Sequence, residues 1–66
     1  MEPHVERMLN EQMELCEKIT KLGEFITQNP IFDKLSKDEK YDMMLQFNAM
    51  TMYMDVLQHR IDRAME

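Results

Sequence analysis

Residues 29–39, with the sequence NPIFDKLSKDE, decide the fold because they end one helix and begin another. Proline has no N–H to donate, and it pushes the residue before it, Asn29, out of the helical region of the backbone. Ser36 and Glu39 form an S-x-x-E capping box, and the acidic first turn that follows Ser36 suits the positive end of a helix. This stretch therefore predicts two helices joined by a short connection.

The connection itself is too apolar for a free linker, since it contains Ile31, Phe32 and Leu35. We therefore predict a short packed turn over residues 29–35 that folds back over the end of a helical hairpin.

The first helix is predicted over residues 4–28, because apolar side chains recur there at steps of three and four, the period of one helix face. These side chains are Val5, Met8, Leu15, Ile19, Leu22 and Ile26. Gln12 is the one polar interruption of this stripe. A neighbouring column of shrinking side chains, from Leu9 through Cys16 to Gly23, would let another helix approach closely.

The second helix is predicted over residues 37–65, and it carries two apolar stripes. One stripe repeats at alternating steps of four and three, which matches an antiparallel seam against the first helix. Its members are Met43, Phe47, Met50, Met54, Leu57, Ile61 and Ala64. The other stripe lies on nearly the opposite side of the helix. It consists of Leu45, Ala49, Met52 and Val56.

A two-helix hairpin has no third element to cover the outer stripe, so we predict that other copies of the chain cover it. The fold class is then all-α, with an antiparallel helical hairpin as a single domain over residues 1–66 that assembles as a homo-oligomeric helical bundle. Five of the nine Met residues lie between residues 43 and 54. Flexible thioether side chains favour an oligomer core here, and the alternative is a surface that adapts to a foreign protein.

Composition narrows the classes of partner. The chain has 66 residues and a formal net charge of −5, which disfavours duplex nucleic acid and anionic membrane surfaces. One Cys cannot form a disulfide within the chain, and no apolar run approaches the length of a membrane span. We therefore expect a cytoplasmic protein with neither partner.

The sequence contains few patterns of catalytic or metal-binding residues, so we expect no enzyme activity, no cofactor and no metal. There is no glycine-rich phosphate loop and no Ser/His/Asp set. If facing residues have numbers that add to about 65, a Zn²⁺ site from His4, His59 and a carboxylate is conceivable, although terminal surface histidines are the simpler interpretation. The same register places Cys16 near Ala49 and away from both histidines, as a small core residue.

The remaining constellation is Tyr53 with Arg60, seven residues apart, together with Arg63 on the last turn and Arg7 on the opposing helix. An aromatic face and guanidinium groups can stack on a base and hold phosphate. The alternative is structural, because such side chains also lie over apolar neighbours and pair with acids such as Glu11 or Asp62.

Residues along nearly the whole chain carry a resemblance to a known group of proteins. They are Glu6, Arg7, Glu11, Leu15, Lys18, Ile19, Lys21, Leu22, Phe25, Ile26, Phe32, Leu35, Met50, Tyr53, Leu57, Arg60 and Ile61. Their pattern resembles small uncharacterised proteins of tailed phages and prophages. More distantly, the hairpin layout resembles phage anti-CBASS sponges, which are homo-oligomers that sequester cyclic nucleotide signals at subunit interfaces. That resemblance implies a phosphate or base contact for Arg7, Tyr53, Arg60 and Arg63.

Two functions follow as hypotheses. The first is an oligomeric, phage-type binding protein that sequesters a cyclic nucleotide or similar immune signal in the host cytoplasm. The second is an acidic protein-interaction module, an accessory protein or inhibitor, that docks on a host or phage protein through its Met-rich helix face.

Overall fold

The computed structural model describes residues 2–66, and three helices account for most of them. Helix α1 spans Pro3–Gln28, the one-turn helix α2 spans Pro30–Asp33, and helix α3 spans Lys37–Ala64. The two long helices pack against each other along an elongated body of 46 × 15 × 13 Å. The predicted all-α hairpin is confirmed, whereas oligomeric assembly stays a prediction. The prediction of one domain over residues 1–66 also stays a prediction, and its first residue lies outside the described residues.

The helix ends follow the local chemistry of the connecting segment. Asn29 has an extended backbone, and its side-chain oxygen accepts a hydrogen bond from Ile31 N at 2.9 Å. The Ser36 hydroxyl oxygen accepts from Glu39 N at 3.1 Å, which caps α3 as the sequence predicts. The backbone therefore changes direction at Asn29 and restarts a helix after Ser36.

The connection is packed, but less completely than predicted. The Phe32 ring lies edge-to-face on Phe25 with a centroid separation of 6.3 Å, and Lys40 Nζ lies 5.7 Å from the Phe32 ring centre. Leu35 is half-buried. Ile31 is exposed, so its predicted place in the packed turn is wrong. The α2 turn directs Phe32 inward and leaves Ile31 on the solvent side.

The fully buried core lies in the half of the hairpin that is farther from the turn. It consists of Val5, Met8, Leu15, Leu57 and Ile61. Leu9, Ile19, Met50 and Met54 are partly buried against it. Leu57 has no exposed surface at all, which makes it the centre of a very small core.

The helix register differs from the one expected from the sequence. Residues whose numbers add to 70 lie opposite each other, as Gln12 and Gln58 do, and also Gly23 and Phe47. The expected value of about 65 assumed a turn centred near residues 32 and 33. The α2 turn consumes four residues without advancing along the hairpin, so the reversal is centred near Leu35.

Gly23 permits a close approach of the two long helices, as its place in the column of small side chains suggested. A Cβ atom added at Gly23 would lie 3.1 Å from Phe47 Cε2, which is tighter than an ordinary van der Waals contact. The Phe47 ring therefore lies directly over the glycine backbone.

We expect Gly23→Val to lower the free energy of unfolding by about 1–3 kcal/mol, because the branched side chain must displace Phe47. Gly23→Ala should be close to neutral, since the contact offsets a gain in helix propensity of about 1 kcal/mol. Urea denaturation followed by circular dichroism measures both. Glu24→Val at the neighbouring exposed position is the control for helix propensity, and an equal effect of the two valines would contradict the close packing.

In the part of the chain that the structure describes, no helix has the length and the apolar character needed to cross a membrane.

Candidate functional site: a basic and aromatic end of the hairpin

The four residues singled out from the sequence lie on the two long helices and are all exposed. Arg7 belongs to the second turn of α1, whereas Tyr53, Arg60 and Arg63 belong to the C-terminal half of α3. Tyr53 is 43% exposed, so its ring rests partly on the hairpin and keeps surface free for a ligand. The antiparallel packing brings the start of α1 and the end of α3 to one end of the molecule.

The register places the arginines at similar positions along the long axis of the hairpin, and we call residues at the same position level with each other. Arg7 is level with Arg63, and Arg60 is level with Asn10. Arg7 and Arg60 therefore differ by three residues in level, or about 4.5 Å along the helix axis.

Helix geometry also gives the side of the hairpin on which each arginine lies. The Gln12–Gln58 hydrogen bond joins the two helices across their interface, toward one edge of the hairpin. At 100° per residue, Arg7 lies about 140° around α1 from Gln12, and Arg60 lies about 160° around α3 from Gln58. Arg7 and Arg60 therefore share the opposite edge. Tyr53 lies within about 20° of Arg60, whereas Arg63 lies about 60° further round.

Within residues 2–66, none of these three arginines has a carboxylate within 4 Å. A close contact within this part of the chain joins His4 Nδ1 to Glu2 Oε2 at 3.3 Å. Asp62, one of the acids considered as a structural partner, instead accepts a hydrogen bond from Gln58 Nε2 at 2.9 Å. The guanidinium donors thus remain available to an outside anion, and arginine binds phosphate oxygens with paired hydrogen bonds.

A polar chain crosses the hairpin beside this end. Gln12 Nε2 donates to Gln58 Oε1, and Gln58 in turn donates to Asp62. Gln12 was visible in the sequence as the polar interruption of an apolar stripe, but its partners were hidden because the expected register was wrong. These hydrogen bonds favour one register between the helices, because a slip would remove the partner of Gln12, the half-buried member of the three.

The corrected register also changes the placement of the histidines and the cysteine. His59 lies opposite Glu11 in this register, which is seven residues, or about 10 Å along the axis, from His4. The predicted possibility of a Zn²⁺ site shared by His4 and His59 is therefore wrong. Among residues 2–66, no group of three or more His, Cys, Asp or Glu side chains is placed to hold a metal ion. Cys16 is exposed rather than a core residue, and it is level with Met54 rather than with Ala49.

The hairpin also forms a cleft of about 140 Å³ at its other end, near the turn. Its lining is Gly23, Ile26, Thr27, Met44, Phe47 and Asn48. This cleft carries no charged side chain and is remote from Arg7 and Arg60. The basic end is an open surface of the hairpin, on which Arg7, Tyr53, Arg60 and Arg63 are all exposed.

The outer stripe predicted as an oligomer interface is uncovered. Leu45, Ala49, Met52 and Val56 are all exposed, and Met52 reaches 69% exposure. The packing of α3 on α1 uses the opposite side of the helix, as the two-stripe pattern indicated.

Comparison with known proteins adds one match. The sequence model of the Sequestin family matches residues 2–63, which is nearly the whole chain. The chain belongs to the Sequestin family. No curated protein and no solved structure shows a significant match. The Sequestin match covers both long helices, so Arg7, the outer stripe and Tyr53 with Arg60 all lie within it, and Arg63 is its last residue.

Proposed function

We propose that this member of the Sequestin family is a non-catalytic, homo-oligomeric binding protein that sequesters a small phosphate-bearing ligand. Its ligand is a cyclic nucleotide immune signal, and its setting is the cytoplasm of a phage-infected bacterium, where removal of the signal silences the defence. The family name is consistent with a protein that sequesters a partner. The observation that carries the proposal is that Arg7 and Arg60 lie on one side of the hairpin with no carboxylate within 4 Å among residues 2–66. Tyr53 lies on the same face of α3 as Arg60, about 10.5 Å from it along the helix axis.

The chemistry of this end suits a nucleotide. Arg7 and Arg60 supply charge-assisted donors for phosphate oxygens, Arg63 adds a third cation at the margin, and Tyr53 supplies an aromatic face for a base. The net charge of −5 makes the chain as a whole repel anions, so the attraction must be local. Binding should therefore weaken steeply as salt is added, because exposed charges are screened over about 8–10 Å at ordinary ionic strength.

The test is a thermal-shift assay with cyclic di-AMP, cyclic di-GMP, cyclic GMP–AMP and cyclic tri-AMP as probes. A ligand that binds only the native state at 100 times its Kd stabilises that state by about 2.7 kcal/mol, which raises the melting temperature. We expect Arg60→Ala to weaken the binding of the active probe by about 10- to 100-fold, the loss typical of a charge-assisted hydrogen bond. Titration calorimetry measures this loss directly.

Lys34→Ala is the matched control, because it removes one exposed positive charge at the turn end and leaves the arginines in place. It should bind the probe like the unaltered chain. If no probe raises the melting temperature, or if Lys34→Ala and Arg60→Ala weaken binding equally, the nucleotide proposal is wrong.

A second candidate, the protein-interaction module, is favoured by the exposed methionines of both long helices. Met13, Met44 and Met52 are each more than half exposed, and such side chains adapt to varied partner surfaces. A chain that is monomeric, that no nucleotide stabilises, and that forms a stoichiometric complex with one purified protein through Met52 would support this candidate over the first.

A further inference from the structure

The outer face of α3 extends beyond its apolar stripe in both directions with the same alternating spacing of four and three. From the N-terminal to the C-terminal end it reads Asp38, Asp42, Leu45, Ala49, Met52, Val56, His59 and Arg63. Every one of these side chains is exposed in the hairpin. The face is therefore acidic at its start, apolar in its centre and basic at its end.

We propose that a second copy of the chain covers this face, with the two α3 helices antiparallel about a two-fold axis between Ala49 and Met52. Leu45 of each copy then packs against Val56 of the other, and Ala49 packs against Met52. At both ends of the seam Asp42 meets the imidazole of His59, which can donate a hydrogen bond to it, and Asp38 meets the guanidinium of Arg63. Each of these pairs occurs twice. Arg63, the marginal member of the candidate site, is then held in the seam, and Arg7 and Arg60 stay outside it. This inference rests on the self-association in the proposed function and gives it a geometry.

The charge order along the face selects the antiparallel direction. A parallel pair would place Asp38 and Asp42 beside the same acids of the partner, and Arg63 beside Arg63. Like charges in such positions repel, whereas the antiparallel pair brings opposite charges together at both ends.

The same residues select one register. A slip of seven residues in one direction places Asp42 against Met52, and a slip in the other direction places Leu45 against Arg63. Both slips place charged groups against the apolar centre and remove them from water, which is costly. The alignment about Ala49 and Met52 is the one that matches apolar with apolar and acid with base.

Among residues 2–66, no other exposed face carries a comparable apolar run. On the outward side of α1, the exposed Met13 lies among the polar side chains of Glu6, Asn10, Glu17 and Glu24. On α3, Tyr41 is 63% exposed and lies within about 50° of the centre of the seam, so it widens the apolar face near the acidic end. A seam from Asp38 to Arg63 is about 39 Å long, comparable to a short coiled coil.

The pairing also bears on the ligand residues. Residues on one side of the seam in both copies share one face of a two-fold antiparallel pair. Tyr53 of each copy lies on that face, and the two tyrosines are separated by about 7.5 Å along the axis, since the pairing places each one level with Asn48 of the other copy. The dimer therefore supplies two aromatic rings near its axis, with one Arg60 beyond each ring.

The test uses two charge-reversal variants. Each variant has like charges facing each other in its own homodimer, whereas the two variants together have opposite charges facing each other. Asp38→Lys with Asp42→Lys makes both ends of the seam basic, and His59→Glu with Arg63→Glu makes both ends acidic. Size-exclusion chromatography and native mass spectrometry measure assembly of each variant alone and of the equimolar mixture. We expect self-association at least tenfold weaker than that of the unaltered chain for each variant alone, and a heterodimer as the main species on mixing.

The matched control reverses two acids on the outward face of α1, Glu17→Lys with Glu24→Lys, and it should self-associate like the unaltered chain. Variants that each still form homodimers, or a mixture that forms no heterodimer, would overturn the antiparallel seam even if the unaltered chain is a dimer. A monomeric unaltered chain would overturn both the seam and the proposed self-association. Ligand binding is scored separately, by the thermal-shift assay.

A cross-linking variant keeps the inference testable if charge reversal unfolds the isolated chains. With Cys16→Ser to remove the exposed thiol, Ala49→Cys is made in one chain and Met52→Cys in another, so that no chain can form a disulfide within itself. In the seam the two thiols face each other, and we expect oxidised glutathione to convert most of the equimolar mixture to a covalent heterodimer. Met13→Cys and Thr20→Cys, made in separate chains of the same Cys16→Ser background and mixed, are the control, and equal cross-linking of both mixtures would contradict the seam.

Discussion

Leu57→Ala is expected to leave the chain without a cooperative unfolding transition when it is heated from 25 °C. Leu57 has no exposed surface and lies among the five buried residues of the core. Truncating a buried leucine costs about 2–5 kcal/mol, and a core in a chain of this size rarely supplies more than about 3–5 kcal/mol. The loss is therefore comparable to the whole stability of the hairpin. Circular dichroism at 222 nm during heating measures it.

Leu45→Ala is the matched control for Leu57→Ala, because the same atoms are removed from a side chain that is 48% exposed. Its effect should be smaller and should depend on protein concentration, since Leu45 contributes to the contact between copies. The effect of Leu57→Ala should appear at every concentration. A Leu57→Ala chain that melts at the temperature of the unaltered protein would contradict the core described above.

Met52→Glu is expected to weaken self-association by at least about 100-fold, because it places an unpaired charge at the centre of the contact between copies. The melting temperature should fall as well, to the value of an isolated hairpin, since assembly stabilises the native chain by mass action. Analytical ultracentrifugation over a range of concentrations measures the change in assembly.

Met13→Glu is a closely matched control for Met52→Glu. Met13 is 67% exposed and Met52 is 69% exposed, but Met13 lies on α1, away from the outer stripe. Met13→Glu should leave the dissociation constant of the assembly within about twofold of that of the unaltered chain, a change of less than ~0.5 kcal/mol. Equal effects of the two substitutions would show that added negative charge, rather than the outer stripe, controls assembly.

The helix bounds were predictable because local chemistry sets them. Pro30 ends α1 at Gln28 whatever lies elsewhere, and the Ser36 cap begins α3 at Lys37. The two apolar stripes of α3 were equally predictable, since they depend only on helix period. For the same reason the uncovered state of Leu45, Ala49, Met52 and Val56 followed from the pattern.

The register was not predictable in the same way. It depends on how many residues the connection consumes, and the one-turn helix α2 consumes more than a tight turn does. That error displaced Cys16 and His59 relative to the opposite helix. The correct signal was present in Gln12, whose amide needs a polar partner across the interface, but several residues of α3 could have supplied one.

The residues of the candidate site were predictable, but whether its arginines pair with carboxylates was not. Arg7, Tyr53, Arg60 and Arg63 could be named from an aromatic and basic pattern, but the sequence favoured a structural role in which they pair with acids such as Glu11 or Asp62. The structure places Asp62 with Gln58 instead and leaves the arginines without a carboxylate within residues 2–66. Ion pairs at an exposed surface differ by less than about 1 kcal/mol from their alternatives, so sequence patterns do not decide between them.

The most direct test of sequestration is to recover the ligand after it has been bound. The cyclic nucleotide that raises the melting temperature is incubated with excess protein, the free nucleotide is separated by ultrafiltration, and the retained fraction is released by denaturation and identified by chromatography with mass spectrometry. We predict that the nucleotide disappears from the filtrate and returns chemically unchanged from the denatured protein. Nucleotide that stays in the filtrate, or a linearised or hydrolysed product in the retained fraction, would contradict sequestration by a non-catalytic binding protein.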